Sequence, residues 1–401
     1  MSSELVNGLI AVGVLVILSV ALYRPRVQAS ISYQATVVPL ANIMDVGFIM
    51  MSPIIVVLVG YTAPLFMLAL CLLAIANGFA ISYNIRHYEP LIDTRDPANA
   101  IAAVAKWALF GASVVNIAYY AQLMMSLVLA PLGIYTPHRV TATAVVILLS
   151  IAVIGYRWGL GSLNRIGGKT TAFNISAVFA VLAAFVAYNI QEAFAGRWDL
   201  AAYDPPIDAT TFRQLIGFFA IVQGFEASRY LGKQFSAKVR ISTMRRAQYI
   251  AAIAFVTLLA SSLLLYSQVQ PEADATAVFA ISEQVSAFLP WLLLVAAIGS
   301  QLSAIVNASS SRSDLLIEAT HDSIPRKYTF LILLIPASLI VVFTDVTDAV
   351  AVASRVFAGY FTIQAALAGF LAARAKSWLA VVGFTAIGLV MAFIMIFGLS
   401  V

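Results

Sequence analysis

The chain has 401 residues, of which 62% are hydrophobic and 10% charged, and its formal net charge is +5. An ordinary soluble domain is about 45–50% apolar and about 25% charged, so this composition excludes a soluble globular protein. It indicates an integral membrane protein. The positive charge implies no nucleic-acid partner, because the basic residues fall in short loops between apolar segments, as in membrane proteins generally.

Twelve apolar segments are long enough to cross about 30 Å of hydrocarbon. In chain order they are 4–23, 36–58, 63–84, 100–131, 140–156, 170–190, 209–231, 247–268, 285–311, 328–343, 349–372 and 378–399. The sequence therefore predicts an all-α integral membrane protein with about twelve transmembrane helices. We expect the first segment to be a retained helix, since the basic Arg24 and Arg26 follow it and do not precede it.

Basic residues cluster after alternate segments, and cytoplasmic loops are where Lys and Arg accumulate. The clusters are Arg24 and Arg26; Arg86 and Arg95; Arg157, Arg165 and Lys169; Lys233, Lys238, Arg240, Arg245 and Arg246; Arg312, Arg326 and Lys327; and Arg374 and Lys376. This pattern predicts a multi-pass protein of the plasma (inner) membrane with both termini outside.

Two of the apolar segments contain helix-breaking and acidic residues at their centres. The segment 36–58 carries Asp45, Gly47 and Pro53, and the segment 209–231 carries Gly224 and Glu226. Backbone groups freed by such a break cost several kcal/mol each in hydrocarbon, so a broken helix is expected to line a cavity. Paired broken helices in corresponding positions of two halves are typical of the substrate site of a secondary transporter.

The sequence shows no motif of catalytic residues and no motif of metal-binding residues. The single cysteine, Cys71, lies in an apolar segment, and His87, His138 and His321 stand at segment ends or in loops. No nucleotide-binding, zinc-protease or nucleophile motif is present. We therefore expect no enzymatic activity, no catalytic residue, no bound metal and no cofactor.

The segments divide into two sets of five with one extra helix on either side. The division predicts an extra helix and basic loop over 1–35, repeats over 36–208 and 209–373, and a final helix over 374–401. Because each set holds an odd number of helices, the two sets are expected to have opposite orientations in the membrane. This is a five-plus-five inverted repeat with broken first and sixth core helices.

Several short stretches resemble one transporter family. The run Phe218–Glu226 resembles the F-A-x-x-G-F-E signature of the sixth core helix in the amino acid–polyamine–organocation (APC) superfamily. Gly161–Arg165 is similar to the start of its fifth core helix, and Arg312–Pro325 resembles the stretch after its eighth. The resemblance covers roughly 36–373 and implies a leucine-transporter-type fold of ten core helices.

The sequence also departs from that family. Amino-acid permeases usually break the first core helix with G-[ST]-G, whose amides bind a substrate carboxylate, whereas this chain has only Gly47 there. Asn174 stands where many proton-linked relatives carry a Lys. The stretch from Asp45 to Pro53 also resembles amine neurotransmitter transporters and potassium uptake permeases, which implies an acid facing a positive charge.

Each ionisable candidate has a structural alternative. Asp45 is predicted to bind a cation, but it could instead pair with Arg229 or cap the half-helix that follows. Glu226 could contribute to the site, pair with Arg229 three residues on, or accept amides freed at the break. Arg355 is expected to pair with an acid, Glu226 or Asp45, or to extend toward the interface.

Aromatic and hydroxyl side chains complete the predicted site. Tyr119 and Tyr120 can offer a π-face to a cation, although Tyr is also common at membrane interfaces. Ser300 and Ser303 can be oxygen ligands for sodium, or simply small residues for close helix packing.

We therefore predict a cation-coupled secondary transporter, a permease or symporter for an amino acid or organic amine, that works by alternating access. The predicted substrate-binding residues are Asp45, Gly47, Ser52, Tyr119, Tyr120, Gly224 and Glu226. The predicted ion-coupling residues, for sodium or a proton, are Asp45, Glu226, Ser300, Ser303 and Asn174. The alternatives are a potassium uptake transporter and a transporter-like solute sensor or accessory subunit.

Overall fold

The structure is a computed structural model that describes residues 3–92, 94–200, 205–269, 276–320 and 322–401. The side chains at 162, 164–169 and 267–269 are not described. The predicted loop residue His321 and the side chain of Arg165 therefore lie outside the described part of the chain.

Within the described residues the regular structure is helical throughout. The α-helices are α1 Ser3–Leu22, α2 Pro25–Gln28, α3 Ile31–Ile43, α4 Gly47–Val59, α5 Ala63–His87, α6 Ala98–Leu129, α7 Pro137–Trp158, α8 Gly161–Phe194, α9 Ala209–Ile216, α10 Ala237–Val269, α11 Ala277–Val285, α12 Leu289–Ala319, α13 Arg326–Phe343, α14 Val346–Arg374 and α15 Trp378–Phe397. Short 3-10 helices cover Gly60–Thr62, Glu89–Leu91, Phe219–Val222 and Phe225–Leu231.

Ten helical stretches of the described chain are long and apolar enough to cross a membrane. The predicted count of about twelve differs for two reasons. The stretch Ile31–Leu91 runs through α3, α4 and α5 and counts once. The predicted segment 209–231 is not one helix, because α9 is followed by two short 3-10 helices. The all-helical, multi-pass class is confirmed, and the five-plus-five repeat stays a prediction.

Both predicted interruptions are present. α3 ends at Ile43 and α4 begins at Gly47, with Met44, Asp45 and Val46 in between. The second interruption falls between the two 3-10 helices, where Gly224 has φ +119°. Side chains rarely tolerate this φ, so glycine is the residue expected there.

The long helices pack in a bundle around the two interruptions. α6 contacts α14 and α12, α8 contacts α12, and α7 contacts α13. α10 lies against α3 and α5. The two outer helices α1 and α15 pack against α8 and α14, respectively, and expose large apolar side chains elsewhere, as expected for helices that face lipid.

Four ion pairs connect different elements of the fold. They are Arg240–Glu89, Arg374–Asp96, Lys106–Glu318 and Arg326–Asp314. The guanidinium of Arg374 lowers the pKa of the Asp96 carboxyl below its ordinary value. Three of the pairs join segments far apart in the chain, and Arg326–Asp314 joins the helices on either side of one loop.

The segment after α15 is held against α9. The Leu399 N–H donates to the Arg213 carbonyl at 2.9 Å, and Arg213 Nε donates to the Phe397 carbonyl at 3.0 Å. Gly217 makes this approach possible, because a Cβ there would lie 2.0 Å from the Leu399 carbonyl oxygen. The first half of the second broken segment is thereby tied to the end of the described chain.

Gly217→Ala is therefore expected to displace this segment and to lower the free energy of unfolding by about 1–3 kcal/mol, the usual cost of overpacking. Thermal unfolding of the purified protein in detergent measures the loss. Gly383→Ala is the matched control, since a Cβ at Gly383 meets nothing within 4 Å. Equal stability of the two variants would show that the contact between Gly217 and Leu399 contributes little.

Candidate functional site

Asp45 lies in the first interruption and accepts a backbone hydrogen bond there. The Gly47 N–H donates to Asp45 Oδ1 at 2.5 Å, and the Val46 N–H donates to Ser300 Oγ of α12 at 3.3 Å. Two amides at the start of α4 are thus satisfied by a carboxylate and by a hydroxyl from another helix. The predicted capping contact of Asp45 is present, and the carboxylate keeps acceptor capacity for a ligand because it has a second oxygen.

The two interruptions are in direct contact. A Cβ on Gly224 would lie 2.7 Å from the carbonyl carbon and 2.8 Å from the carbonyl oxygen of Asn42, in the last turn of α3. Only a glycine lets the two backbones approach this closely. The sequence predicted that both breaks border one site, and the fold places them side by side.

A cavity of about 10 Å³ lies between the interruptions, enough for one water-sized particle. We call it the aromatic cavity. Its lining residues are Asn42, Asp45, Phe48, Asn116, Tyr119, Tyr120, Ala220, Ile221 and Gln223. Three of the predicted site residues meet here, and the sequence analysis did not single out the amide side chains.

A second cavity of about 30 Å³ adjoins the first. We call it the oxygen cavity. Its lining residues are Ala41, Asn42, Met44, Asp45, Tyr120, Thr171, Asn174, Ile175, Ser300, Ser303, Ala304 and Asn307. Asp45 is the only carboxylate in this lining, and the other polar side chains are neutral amides and hydroxyls. Amide and hydroxyl oxygens are ligands suited to hard cations.

The remaining predicted substrate residues lie outside both cavities. The Ser52 hydroxyl donates to the Ile49 carbonyl at 2.7 Å and lies 3.0 Å from the Tyr266 hydroxyl. Glu226 is buried and accepts the Gly224 N–H at 2.8 Å. Glu226 therefore has the structural contact that the sequence analysis gave as one alternative, acceptance of an amide freed at the break.

Gly47 does not line either cavity in its own right, but it sets how closely α4 approaches α6. A Cβ at Gly47 would lie 2.9 Å from the Tyr119 hydroxyl and 2.6 Å from Asp45 Oδ1. A larger residue there would push Tyr119 away from the carboxylate.

Neither arginine pairs with an acid that the sequence analysis considered as its partner. Arg229 donates to Gln364 of α14 and lies 5.2 Å from the centroid of the Tyr88 ring. Among the described residues it pairs with neither Glu226 nor Asp45, because Glu226 turns back to its own interruption and Arg229 points to α14. Arg355 is exposed, and its Nε donates to the Met395 carbonyl of α15 at 3.0 Å. Among the described residues it forms no ion pair with either acid, and its exposure agrees with the alternative that it extends toward the interface.

Three buried amide side chains near the interruptions have an oxygen atom without a hydrogen-bond partner. In the part of the chain that the structure describes, no partner is found for Gln223 Oε1, Asn174 Oδ1 or Gln301 Oε1. A buried amide without a partner is costly, so such groups call for an explanation. In the sequence, only their positions could have marked these amides as candidates, since Gln223 precedes Gly224 and Gln301 follows Ser300.

The sequence as a whole matches a known family. Residues 25–398 match the family described as APC superfamily transporter. The chain belongs to the APC superfamily. The resemblance seen in its short motifs is thus confirmed, and a family of transporters agrees with the prediction that the chain is not an enzyme.

Relatives of this APC transporter are distant. It is 28% identical over 413 residues to an uncharacterized protein of Aquifex aeolicus (strain VF5), and the alignment covers 99% of this chain and all of that protein. Its fold is similar to a manganese transporter of Eremococcus coleocola, with a TM-score of 0.54 and 16% identity over 90% of this chain and 86% of that one. The same transporter bound to an aromatic bis-isothiourea substituted compound gives a TM-score of 0.53, over 92% of this chain and 87% of that one. These likenesses establish a shared fold.

Proposed function

We propose that this APC transporter is a cation-coupled secondary transporter that carries a small amine-bearing solute, an amino acid or an organic amine, by alternating access around Asp45. The observation that carries the proposal is the position of Asp45. It borders both cavities and is the only carboxylate in their described linings. A negative charge at the contact of two broken helices favours a bound cation.

The aromatic cavity is the proposed site of the substrate ammonium group. Tyr119 and Tyr120 are both buried, and their ring centroids lie 5.5 Å apart. A cation beside such rings gains about 0.5–1 kcal/mol at exposed sites and about 2 kcal/mol or more when desolvated. Asp45 supplies the counter-charge, and Gln223 supplies a free amide oxygen.

The oxygen cavity is the proposed site of the coupling ion. Ser300, Ser303 and Asn174, which the sequence analysis named as candidate ion-coupling residues, line it. Ser300 also accepts the Val46 N–H, so an ion bound beside it would act on the backbone of the first interruption. Since Asn174 cannot release a proton near neutral pH, sodium is the favoured coupling ion.

Asn174→Lys tests this assignment by placing an ammonium group in the oxygen cavity. We expect uptake to lose its sodium dependence and its rate to fall about tenfold or more, because the fixed charge takes the place of the ion. Asn174→Ala is the matched control, and it should retain sodium dependence with a higher sodium requirement. If Asn174→Lys keeps normal sodium-stimulated uptake in proteoliposomes, the coupling ion binds elsewhere.

Alternating access is proposed to follow from a five-plus-five inverted repeat over 36–208 and 209–373. If a two-fold axis relates these repeats, α6 corresponds to α12 and α14 corresponds to α8. The contact between α6 and α14 then corresponds to the contact between α12 and α8. Both contacts are extensive, which supports the proposal.

The proposed location of the protein remains the inner membrane, with both termini outside.

Transport of an inorganic cation is a second candidate, favoured by the size of the site. Cavities of about 10 and 30 Å³ hold a water molecule or a bare ion, whereas a whole amino acid requires the site to open. Potassium suits a ring of oxygen ligands. The fold likeness to manganese transporters adds a divalent ion to the solutes worth testing.

Uptake by the purified full chain in proteoliposomes tests these candidates together. Labelled amino acids, methylammonium, rubidium and Mn²⁺ are offered with a sodium gradient, a pH gradient or neither, and Asp45→Asn is the matched control. Gradient-driven uptake of an amine that requires Asp45 supports the lead proposal, and uptake of rubidium or Mn²⁺ alone supports the second candidate. Binding without uptake would indicate a sensor.

A further inference from the structure

Two backbone amides at the first interruption are already hydrogen-bonded within the protein. The Gly47 N–H donates to Asp45 Oδ1 at 2.5 Å. The Val46 N–H donates to Ser300 Oγ of α12 at 3.3 Å. Unpaired amides at the start of a helix are a common binding site for a carboxylate or another anion. At the start of α4 these two amides have internal acceptors instead.

Two amides at the second interruption are occupied in the same way. The Gly224 N–H donates to Glu226 Oε2 at 2.8 Å. Ala220 lines the aromatic cavity, and its N–H donates to Ser354 Oγ of α14 at 2.7 Å. Glu226 and Ser354 are both buried, so water does not compete for these bonds. The amides freed near the breaks are therefore not waiting for a substrate carboxylate.

The lining of the two cavities offers no positive charge to a carboxylate either. Apart from Asp45, its described residues are apolar or carry neutral amides and hydroxyls, and none of them is Lys, Arg or His. A solute carboxylate in this space would lie close to the Asp45 carboxylate. Like charges that face each other in a desolvated site repel strongly.

The buried side-chain atoms of this lining that have no partner are acceptors. They are Gln223 Oε1 in the aromatic cavity and Asn174 Oδ1 in the oxygen cavity, which find no hydrogen-bond donor within the described chain. The N–H groups of an ammonium can satisfy such oxygens. An ionised carboxylate cannot, because it only accepts hydrogen bonds. The free groups of the site thus match the ammonium end of a solute.

We infer that the solute is an organic amine without a carboxylate, and that amino acids are not substrates. This inference rests on the proposed function, because it assumes that a cation binds at Asp45. It narrows the two substrate classes of that proposal to one. It also assigns a specificity role to Ser354, whose hydroxyl occupies an amide that a carboxylate could otherwise contact.

Amino acids and the amines formed by their decarboxylation test the inference directly. The pairs are alanine with ethylamine and leucine with 3-methylbutylamine. The ligand-dependent rise in melting temperature of the purified full chain measures each affinity, with and without sodium. We expect each amino acid to bind roughly a hundredfold more weakly than its amine, because its carboxylate meets a like charge and no free donor. Equal affinity within the pairs, in either medium, would overturn the inference.

Alaninamide separates charge from size. It replaces the carboxylate of alanine by a neutral amide of nearly the same volume. We expect it to bind about tenfold or more tightly than alanine, since the repulsion from Asp45 is removed. If alaninamide binds as weakly as alanine while ethylamine binds well, size and not charge excludes amino acids, and the inference fails.

Ser354→Ala leaves the Ala220 N–H without its acceptor. We expect the ratio of alanine affinity to ethylamine affinity to rise roughly tenfold, equivalent to one new hydrogen bond at about 1.4 kcal/mol per tenfold. Ser338→Ala is the matched control, because buried Ser338 of α13 donates to the Leu334 carbonyl of its own helix at 2.8 Å. It should leave the ratio unchanged. A ratio that does not rise in Ser354→Ala would overturn the role assigned to Ser354.

Asp45→Asn distinguishes a failure of this inference from a failure of the proposed function. If Asp45→Asn abolishes ethylamine binding while the natural protein binds alanine as tightly as ethylamine, the proposed function stands and this inference fails. If Asp45→Asn binds ethylamine normally, the proposed function itself fails.

Discussion

Asp45→Asn is expected to weaken binding of the transported cation roughly thirtyfold or more. The substitution removes one charge and nearly keeps the shape. The bound cation then stays desolvated without its counter-charge, a loss of about 2–5 kcal/mol, at about 1.4 kcal/mol per tenfold in affinity. The measurement is binding and uptake of methylammonium and rubidium by the purified protein in proteoliposomes.

Three comparisons make the Asp45 result specific. Asp45→Glu should retain part of the binding, because the charge survives with a different reach. Neutral analogues of the substrate should bind the natural protein poorly and lose little further affinity in Asp45→Asn. Asp345→Asn is the control at a helix start, where Asp345 accepts the Asp348 N–H at 2.8 Å. If Asp45→Asn bound every solute normally, Asp45 would serve only as the cap of α4, and the site would have to be sought near Glu226.

Gly224→Ala should give the largest loss of stability. The φ of +119° at Gly224 strains any other residue, at a cost of about 1–3 kcal/mol. The new Cβ would also lie 2.7 Å from the carbonyl carbon of Asn42. That atom is backbone, so it cannot move aside as a flexible side chain can. We expect a lower free energy of unfolding and a loss of transport, since the two interruptions would be forced apart.

Chemical unfolding in detergent and proteoliposome uptake measure both effects. Gly111→Ala is the matched control. Gly111 lies within α6, a Cβ there meets nothing within 4 Å, and Gly→Ala at a compatible helical position stabilises by about 0.4–1 kcal/mol. A Gly224→Ala protein with natural stability and transport would contradict the close contact between the two breaks.

The sequence by itself determined the class of protein, the two interruptions and the family. The reason is that these features are local. Composition sets the solvent that a chain can face, and helix-weakening residues such as Gly47 and Gly224 act on the backbone at their own positions. The signature around Glu226 is likewise a contiguous run, so it can be recognised before the fold is known.

Only some of the predicted site residues line the two cavities. Asp45, Tyr119, Tyr120, Asn174, Ser300 and Ser303 line the cavities. The sequence analysis had named Asn174 from its place in the family pattern and the others from their types and depths in apolar segments. Asn42 and Gln223 line them as well. Their type alone did not distinguish them, because a single amide in an apolar segment is not specific to a binding site.

Only the tertiary structure decided which side chains meet across helices. Arg229 donates to Gln364, which is 135 positions away, and Arg355 donates to Met395 on the last helix, so neither pairs with the acids that seemed available. Such partners depend on how the helices are rotated about their axes and on which ones adjoin. Spacing along one helix places groups on a face, whereas packing against the neighbouring helices determines what that face contacts.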